Sequence, residues 1–195
     1  MNYETPLDWK SELWWRKRPV EERVFHLHLP PRIKTDLLLS SVAWPAYDQL
    51  PAGIVISGPA ATGKSIKAAG ILQRAVEEHE ASGRWVEAND YVDMIKESFN
   101  NDGVLPEMYS TPHLLKYIKG GFDVLVLDGL GEEYKTDFAS HELGSLIRKR
   151  FDRMKCTIIT TQLTLPDIRA KYGDRLGTVL DEFELITTGA RRGRQ

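Results

Sequence analysis

One octet, Gly58-Pro59-Ala60-Ala61-Thr62-Gly63-Lys64-Ser65, constrains this chain more than any other feature. Before it, Gly53-Ile54-Val55-Ile56-Ser57 is a short apolar run that reads as a buried strand. After it, Ser65 to about Ser82 reads as a helix, because Ile66, Ala69, Gly70, Leu72 and Val76 recur near helical spacing. The octet therefore joins a strand end to a helix start through two glycines. Glycine permits backbone conformations that turn successive N–H groups inward. The helix start adds the positive end of its dipole. The result is a cradle for phosphate oxygens. At this spacing Lys64 supplies a full charge to β- and γ-phosphates, and the Ser65 hydroxyl is placed to ligate Mg²⁺. ATP with Mg²⁺ is the expected ligand, held by residues 58–65.

From the octet onward the chain alternates strand and helix. Trp85-Val86-Glu87-Ala88 is a second expected strand, with Asn89 or Asp90 as the cap of the next helix. Asn100 to Gly103 reads as a loop. A helix over Thr111–Lys119 ends at Gly120-Gly121. Val124-Leu125-Val126-Leu127-Asp128 is apolar up to its last residue, as expected of a strand covered on both faces. A helix from about Asp137 to Met154 leads to the buried strand Thr157-Ile158-Ile159-Thr160-Thr161. Short helices at Pro166–Tyr172 and Arg175–Asp181 precede a last strand, Phe183–Thr188. Such alternation predicts an α/β fold, a parallel sheet with helices on both faces.

In open α/β sheets a ligand lies beyond the carboxyl ends of the strands. Asp128 ends the strongest strand, so its carboxylate is expected to share a crevice with Lys64 and to support Mg²⁺ alongside Ser65. Glu132 and Glu133 follow closely. Either could polarise an attacking water, and the same two residues read equally well as solvated loop charges. Thr160-Thr161-Gln162 closes the next strand, and Gln162 is the candidate to report on the γ-phosphate.

At these residues a family resemblance becomes specific. Phe122-Asp123-Val124-Leu125-Val126-Leu127-Asp128-Gly129-Leu130-Gly131-Glu132-Glu133 resembles the Walker B segment of the DnaC/DnaI helicase loaders and the IstB transposition ATPases. Thr157–Leu163 resembles their sensor 1 strand, and Tyr172-Gly173-Asp174-Arg175-Leu176 the segment that carries their arginine finger. The resemblance runs from about Gly53 to the C-terminus. It implies an AAA+ P-loop core: a three-layer sandwich, a five-stranded parallel sheet of order 5-1-4-3-2, and little or no lid domain. It also implies that Arg175 serves a neighbouring subunit, in an ATP-dependent homo-oligomer. Three positions depart from the family pattern. Gly129 stands where a second acid usually follows the Walker B aspartate, Gln162 where asparagine is usual, and Val179 where a second arginine is frequent. These departures imply a slow ATPase, a switch rather than a motor.

Residues 1–50 differ in character from residues 51–195, the expected ATPase domain. They carry Trp9, Trp14, Trp15 and Trp44 among helix-breaking prolines and read as an extension, a candidate partner-binding arm, partly helical around Asp36–Tyr47. Three basic clusters are candidate DNA contacts: Arg16-Lys17-Arg18; Arg148-Lys149-Arg150 with Arg153 and Lys155; and Arg191-Arg192-Gly193-Arg194. Each reads otherwise as a solvated face or loose tail. The net charge of −2 supplies no global field toward nucleic acid. The single cysteine, Cys156, excludes an intrachain disulfide and a cysteine-built zinc site. No apolar run approaches a membrane span, and the first ten residues lack a signal-peptide core, so the expectation is cytoplasmic. The functional expectation is a replicative helicase loader, its short length suggesting a phage-encoded form, with single-stranded DNA as a candidate contact. Beside it stand an IstB-type transposition helper and a nucleotide-gated adaptor without efficient hydrolysis. A nucleoside kinase would need a base-binding lid and catalytic arginines, and the strand–helix–strand order after residue 122 suits it less well.

Overall fold

The computed structural model of the chain describes residues 28–38, 49–99 and 111–189. In chain order these form α1 (Pro31–Leu38), β1 (Gly53–Ser57), α2 (Lys64–Glu78), β2 (Gly83–Glu87), α3 (Ala88–Phe99), α4 (Thr111–Ile118), β3 (Val124–Leu130), α5 (Asp137–Asp152), β4 (Cys156–Thr161), α6 (Leu165–Tyr172), α7 (Asp174–Leu180) and β5 (Glu184–Thr187). The strands make one sheet in the order β2-β3-β4-β1-β5, every pair parallel. This is the expected 5-1-4-3-2 order.

The period of two along each strand divides the core into two layers. Ile54 and Ile56 of β1, Val124 and Val126 of β3, and Cys156 and Ile158 of β4 turn to one face, where Ala68, Ala69, Ile71, Leu72 and Val76 of α2 cover them. Val55, Leu125, Leu127 and Ile159 turn to the other, under α3, α4, α5, α6 and α7. β3 and β4 lie in the middle of the sheet, and the side chains of Val124–Leu127, Ile158 and Ile159 are excluded from solvent. Burial on both faces is what their unbroken apolar runs require.

Several expected boundaries move, for local reasons. α2 stops at Glu78 rather than Ser82: Glu80 adopts a positive φ of 51°, and Ser82 donates from its N–H and hydroxyl to Asp123 at 2.9 and 2.7 Å. β2 starts at Gly83, and Ala88 already belongs to α3, so Asn89 and Asp90 lie in the first turn instead of capping it. β3 runs on to Leu130 through an irregular register between Leu127 and Leu130. Helix α1 opens on Pro31, where a missing N–H costs nothing. Leu29 is buried on the α2 face, with Ile33 and Leu50 packed against the same cluster. The described part of the expected extension is thus seated on the α/β core. Its tryptophans, the 16–18 cluster, most of the Asp36–Tyr47 helix, the 100–103 loop and the tail arginines lie outside the described residues.

The basic cluster on α5 does not form one surface. Arg150 is fully buried and spreads its guanidinium over Thr157 Oγ1 (3.0 Å), Ile118 O (2.9 Å) and Cys156 O (2.7 Å). Burial draws its pKa down to about 10. Lys155 is spent on Asp123 at 2.6 Å, and Arg153 reaches Lys119 O at 3.4 Å. Lys149 and Arg153 remain exposed, and Arg148 is half-buried. Removing Arg150 would leave the buried carbonyls of Ile118 and Cys156 without this donor. Arg150→Leu is therefore expected to lower the free energy of unfolding by about 3 kcal/mol, and Arg150→Lys to recover little, because lysine lacks the planar fork. Urea denaturation curves of the three proteins check this.

Candidate functional site

The site sits where β1, β3 and β4 end. β1 stops at Ser57, and the next residue makes the close approach on which the loop depends. Gly58 has φ 146°, and its N–H donates to Thr161 O at 3.2 Å. A Cβ there would lie 2.3 Å from Thr188 Oγ1 and 2.4 Å from its carbonyl oxygen. Thr188 in turn bonds Thr62 hydroxyl to hydroxyl at 2.6 Å, and Ser57 O accepts from both its N–H and its Oγ1. The loop is therefore stitched to the chain that leaves β5. Gly63 closes it in the left-handed region, φ 87°, and α2 begins with no capping side chain and no acid in its first turn. Its leading N–H groups are thus left for an anion.

Lys64 is largely buried and donates to the loop carbonyls of Gly58 (2.9 Å) and Pro59 (2.7 Å). Burial pulls its pKa below the ordinary lysine range, against the opposing pull of Glu132 and Asp128. One residue on, the Ser65 hydroxyl donates to Asp128 Oδ1 at 2.9 Å. The same oxygen accepts from Thr160 Oγ1 at 2.5 Å, and Thr160 Oγ1 accepts from Gly129 N–H at 2.9 Å. The sheet's alternation explains this convergence. Asp128 follows Val124 and Val126 on the α2 face, and Thr160 follows Cys156 and Ile158 there. Burial pushes the Asp128 carboxyl above its ordinary range, and the hydrogen bonds from Thr160 and Ser65 oppose the shift.

Glu132 joins this group through the turn after β3. Gly129 takes φ 78°, and its carbonyl accepts from Glu132 N–H at 3.0 Å. Glu132 Oε1 then accepts from Gln162 Nε2 at 2.7 Å. Glu133, the neighbouring candidate, points elsewhere. Its carboxylate is enclosed by Gly131 N–H (2.7 Å), Lys171 Nζ (2.5 Å) and the Tyr172 hydroxyl. Burial would raise its pKa, but the Lys171 and Tyr172 contacts and the backbone N–H bonds outweigh burial and hold it below the ordinary range. Arg175 is exposed on α7. Two nearby acids pair with Arg169, Asp181 at 2.9 Å and Asp174 at 4.0 Å. Among the described residues Arg175 has no ion pair, and none joins it to Lys64 or Asp128. Val179 is partly buried and packs against the core.

The structure brings together Lys64, Ser65, Asp128, Glu132 and Gln162. The sequence reading missed Thr160, Thr188 and Glu87. Glu87 pairs in register with Asp128 across β2 and β3, and burial, together with Asp90, Asp128 and Glu132, raises its pKa. The available signals were the period-two alternation for Thr160 and the last position of β2 for Glu87. Thr188 had none. Converging hydroxyl and carboxylate oxygens form a donor set suited to Mg²⁺, a hard cation usually bound through one or two carboxylates plus phosphates. No cluster of three or more acidic, histidine or cysteine ligands occurs among the described residues.

A family model described as IstB-like ATP binding protein matches residues 18–182. No curated protein sequence matches the chain. Among solved structures, the DnaC helicase loader superposes with a TM-score of 0.61 at 22% identity, covering 88% of this chain and 92% of that one. DnaI gives 0.58 at 18% identity, with 83% and 95% covered. The replication initiator DnaA bound to AMPPCP and single-stranded DNA gives 0.57 at 16%, with 88% and 50% covered. Identities this low speak for a common fold only. The family model spans most of the chain, and the chain belongs to the IstB-like ATP binding proteins, with a fold shared with DnaC.

Proposed function

We propose that this chain is a Mg²⁺-dependent, slow ATPase whose nucleotide state governs its hold on a replicative helicase, as a loader. The observation that carries the nucleotide chemistry is the chain of contacts from Ser65 through Asp128 to Thr160, beside Lys64 and Glu132. The loader role is supported by the whole-domain likeness to DnaC and DnaI, both covered almost end to end. The match to the IstB-like model favours a second reading, a transposition helper working with a transposase on the same core.

In this reading the loop residues 58–63 and the start of α2 bind phosphate oxygens, and Lys64 moves its ammonium from loop carbonyls to the β- and γ-phosphates. Ser65 and Asp128 hold Mg²⁺, which when bound would neutralise phosphate charge. Glu132 accepts the proton of the attacking water, and Gln162 orients Glu132 through its amide. With no acid at position 129 and the base delivered from a turn three residues later, turnover is slow. Arg175 acts in trans as the second cation, in an oligomer assembled with ATP, and single-stranded DNA is a candidate promoter of that assembly.

Four expected outcomes follow from these roles. MgATP at 100 times its dissociation constant stabilises a protein that binds it only when folded by about 2.7 kcal/mol, so the melting temperature should rise by several degrees. Lys64→Ala should abolish the rise; an equal shift in both proteins would overturn the phosphate site. Glu132→Gln should keep the thermal shift and lose about 10²-fold or more in turnover, measured by phosphate release. Arg175→Ala should spare the affinity of the isolated subunit and remove the rise of specific activity with protein concentration. Mixed with Lys64→Ala it should regain activity, because one variant supplies the pocket and the other the finger. Finally, the purified chain should form an MgATP-dependent complex with the replicative helicase of its host and accelerate its transfer onto single-stranded DNA. Binding to a transposase instead would select the second reading.

A further inference from the structure

Glu133 is a buried charged group that the chemistry above does not use. Its side chain has no solvent exposure, and its polar contacts join two functional segments. On its own side it closes the turn that carries Glu132, accepting from Gly131 N–H at 2.7 Å. On the far side it takes the Tyr172 hydroxyl and Lys171 Nζ, the last two side chains of α6. Lys171 also donates to Gly131 O at 3.1 Å, so the turn is gripped twice. Immediately after Tyr172 the chain bends at Gly173, φ 89° and ψ 162°, and Arg175 follows in the first turn of α7. α6 and α7 share one core cluster through Ile168, Tyr172, Leu176 and Leu180, and Arg169 of α6 pairs with Asp181 and Asp174 at the two ends of α7. Its guanidinium also fills the space beside Gly177, where a Cβ would come within 2.7 Å.

We propose that Glu133 is a positioning residue that locks the α6–α7 unit bearing Arg175 to the turn bearing Glu132. The finger that one subunit offers its neighbour is then set by the same turn that carries the acid of its own nucleotide pocket. This rests on the trans role of Arg175 proposed above. The physical basis is stiffness. A buried carboxylate satisfied by an ammonium, a phenol and a backbone N–H has few alternative arrangements, and a small misplacement of a transition-state cation is costly. Glu132 itself is held separately by Gln162, so the main effect of Glu133 falls on the finger rather than on the base beside it.

The test uses the mixed assembly in which Lys64→Ala subunits donate fingers to Arg175→Ala pockets. Glu133→Gln, which keeps the shape but removes the charge, is added to one partner at a time. Placed in the finger donor it should lower the recovered ATPase rate about tenfold. Placed in the pocket donor it should change the rate by no more than about twofold. In the otherwise unaltered protein it should leave the MgATP thermal shift intact while hydrogen exchange at the α7 amides rises. Tyr172→Phe, a milder cut of the same network, should give the same one-sided loss, and the double variant should be no worse than Glu133→Gln alone. Equal losses on both sides, or no loss in the finger donor, overturn the coupling while the trans finger stands. No recovery in the parental mixture, in assemblies shown to hold both variants, overturns the trans finger and this coupling with it.

Discussion

The contact on which this molecule turns is the one oxygen, Asp128 Oδ1, that accepts from both Ser65 and Thr160. A half-buried carboxylate must find donors or give up its charge. Its donors come from α2 and β4, while it belongs to β3. Three elements are thereby fixed relative to one another at the end of the sheet where a phosphate would lie. The hydrophobic layers bring them close, but burial alone is tolerant of small shifts. The hydroxyl–carboxylate contacts are not, and they set the position of the first turn of α2 and so of Lys64.

Glycine at two points makes that arrangement possible and also determines its limits. At Gly58 the backbone must pass within contact of Thr188, and no side chain fits. At Gly129 the constraint is conformational. The positive φ allows β3 to turn sharply after Asp128, and a Cβ built there would stand 3.4 Å from Glu132 Oε2. The carboxylate of Glu132 therefore borders the space that a side chain at 129 would enter. The lack of an acid at position 129 and the placement of Glu132 are two aspects of one turn.

Much of this was readable in the residues. The apolar residues at 124–127 and 158–159 announced central parallel strands, and the octet announced its own geometry because glycine spacing and a following helix leave few alternatives. The same alternation of Val124, Val126 and Asp128 carries enough information to place Thr160, since Cys156 and Ile158 share its face. What stayed hidden depends on contacts distant in sequence. Nothing near Arg150 distinguishes it from Arg148 and Lys149; only the packing of α5 over β4 turns it inward, against Ile118 and Cys156 carbonyls. Thr188 acquires its role from β5 lying next to β1. Glu132 and Glu133 are chemically identical neighbours, and their separation into an open and an enclosed carboxylate comes from α6, forty residues away in the chain, through Lys171 and Tyr172.

That separation bears on how a switch of the proposed kind would be built. Hydrolysis across a subunit boundary needs an acid and a phosphate cradle on one side and a cation on the other. In the oligomer proposed above, both kinds of group would be present on every subunit, on opposite sides of the Glu133 contact. A rigid link between them would make each nucleotide pocket mechanically continuous with the next. A slow catalytic step would then cost such a device little, because the information passed along is whether the pocket is formed, and formation depends on binding. Residues such as Gly129 and Val179, which read as losses when each site is considered alone, are compatible with a molecule whose output is the geometry of its neighbour rather than its own rate.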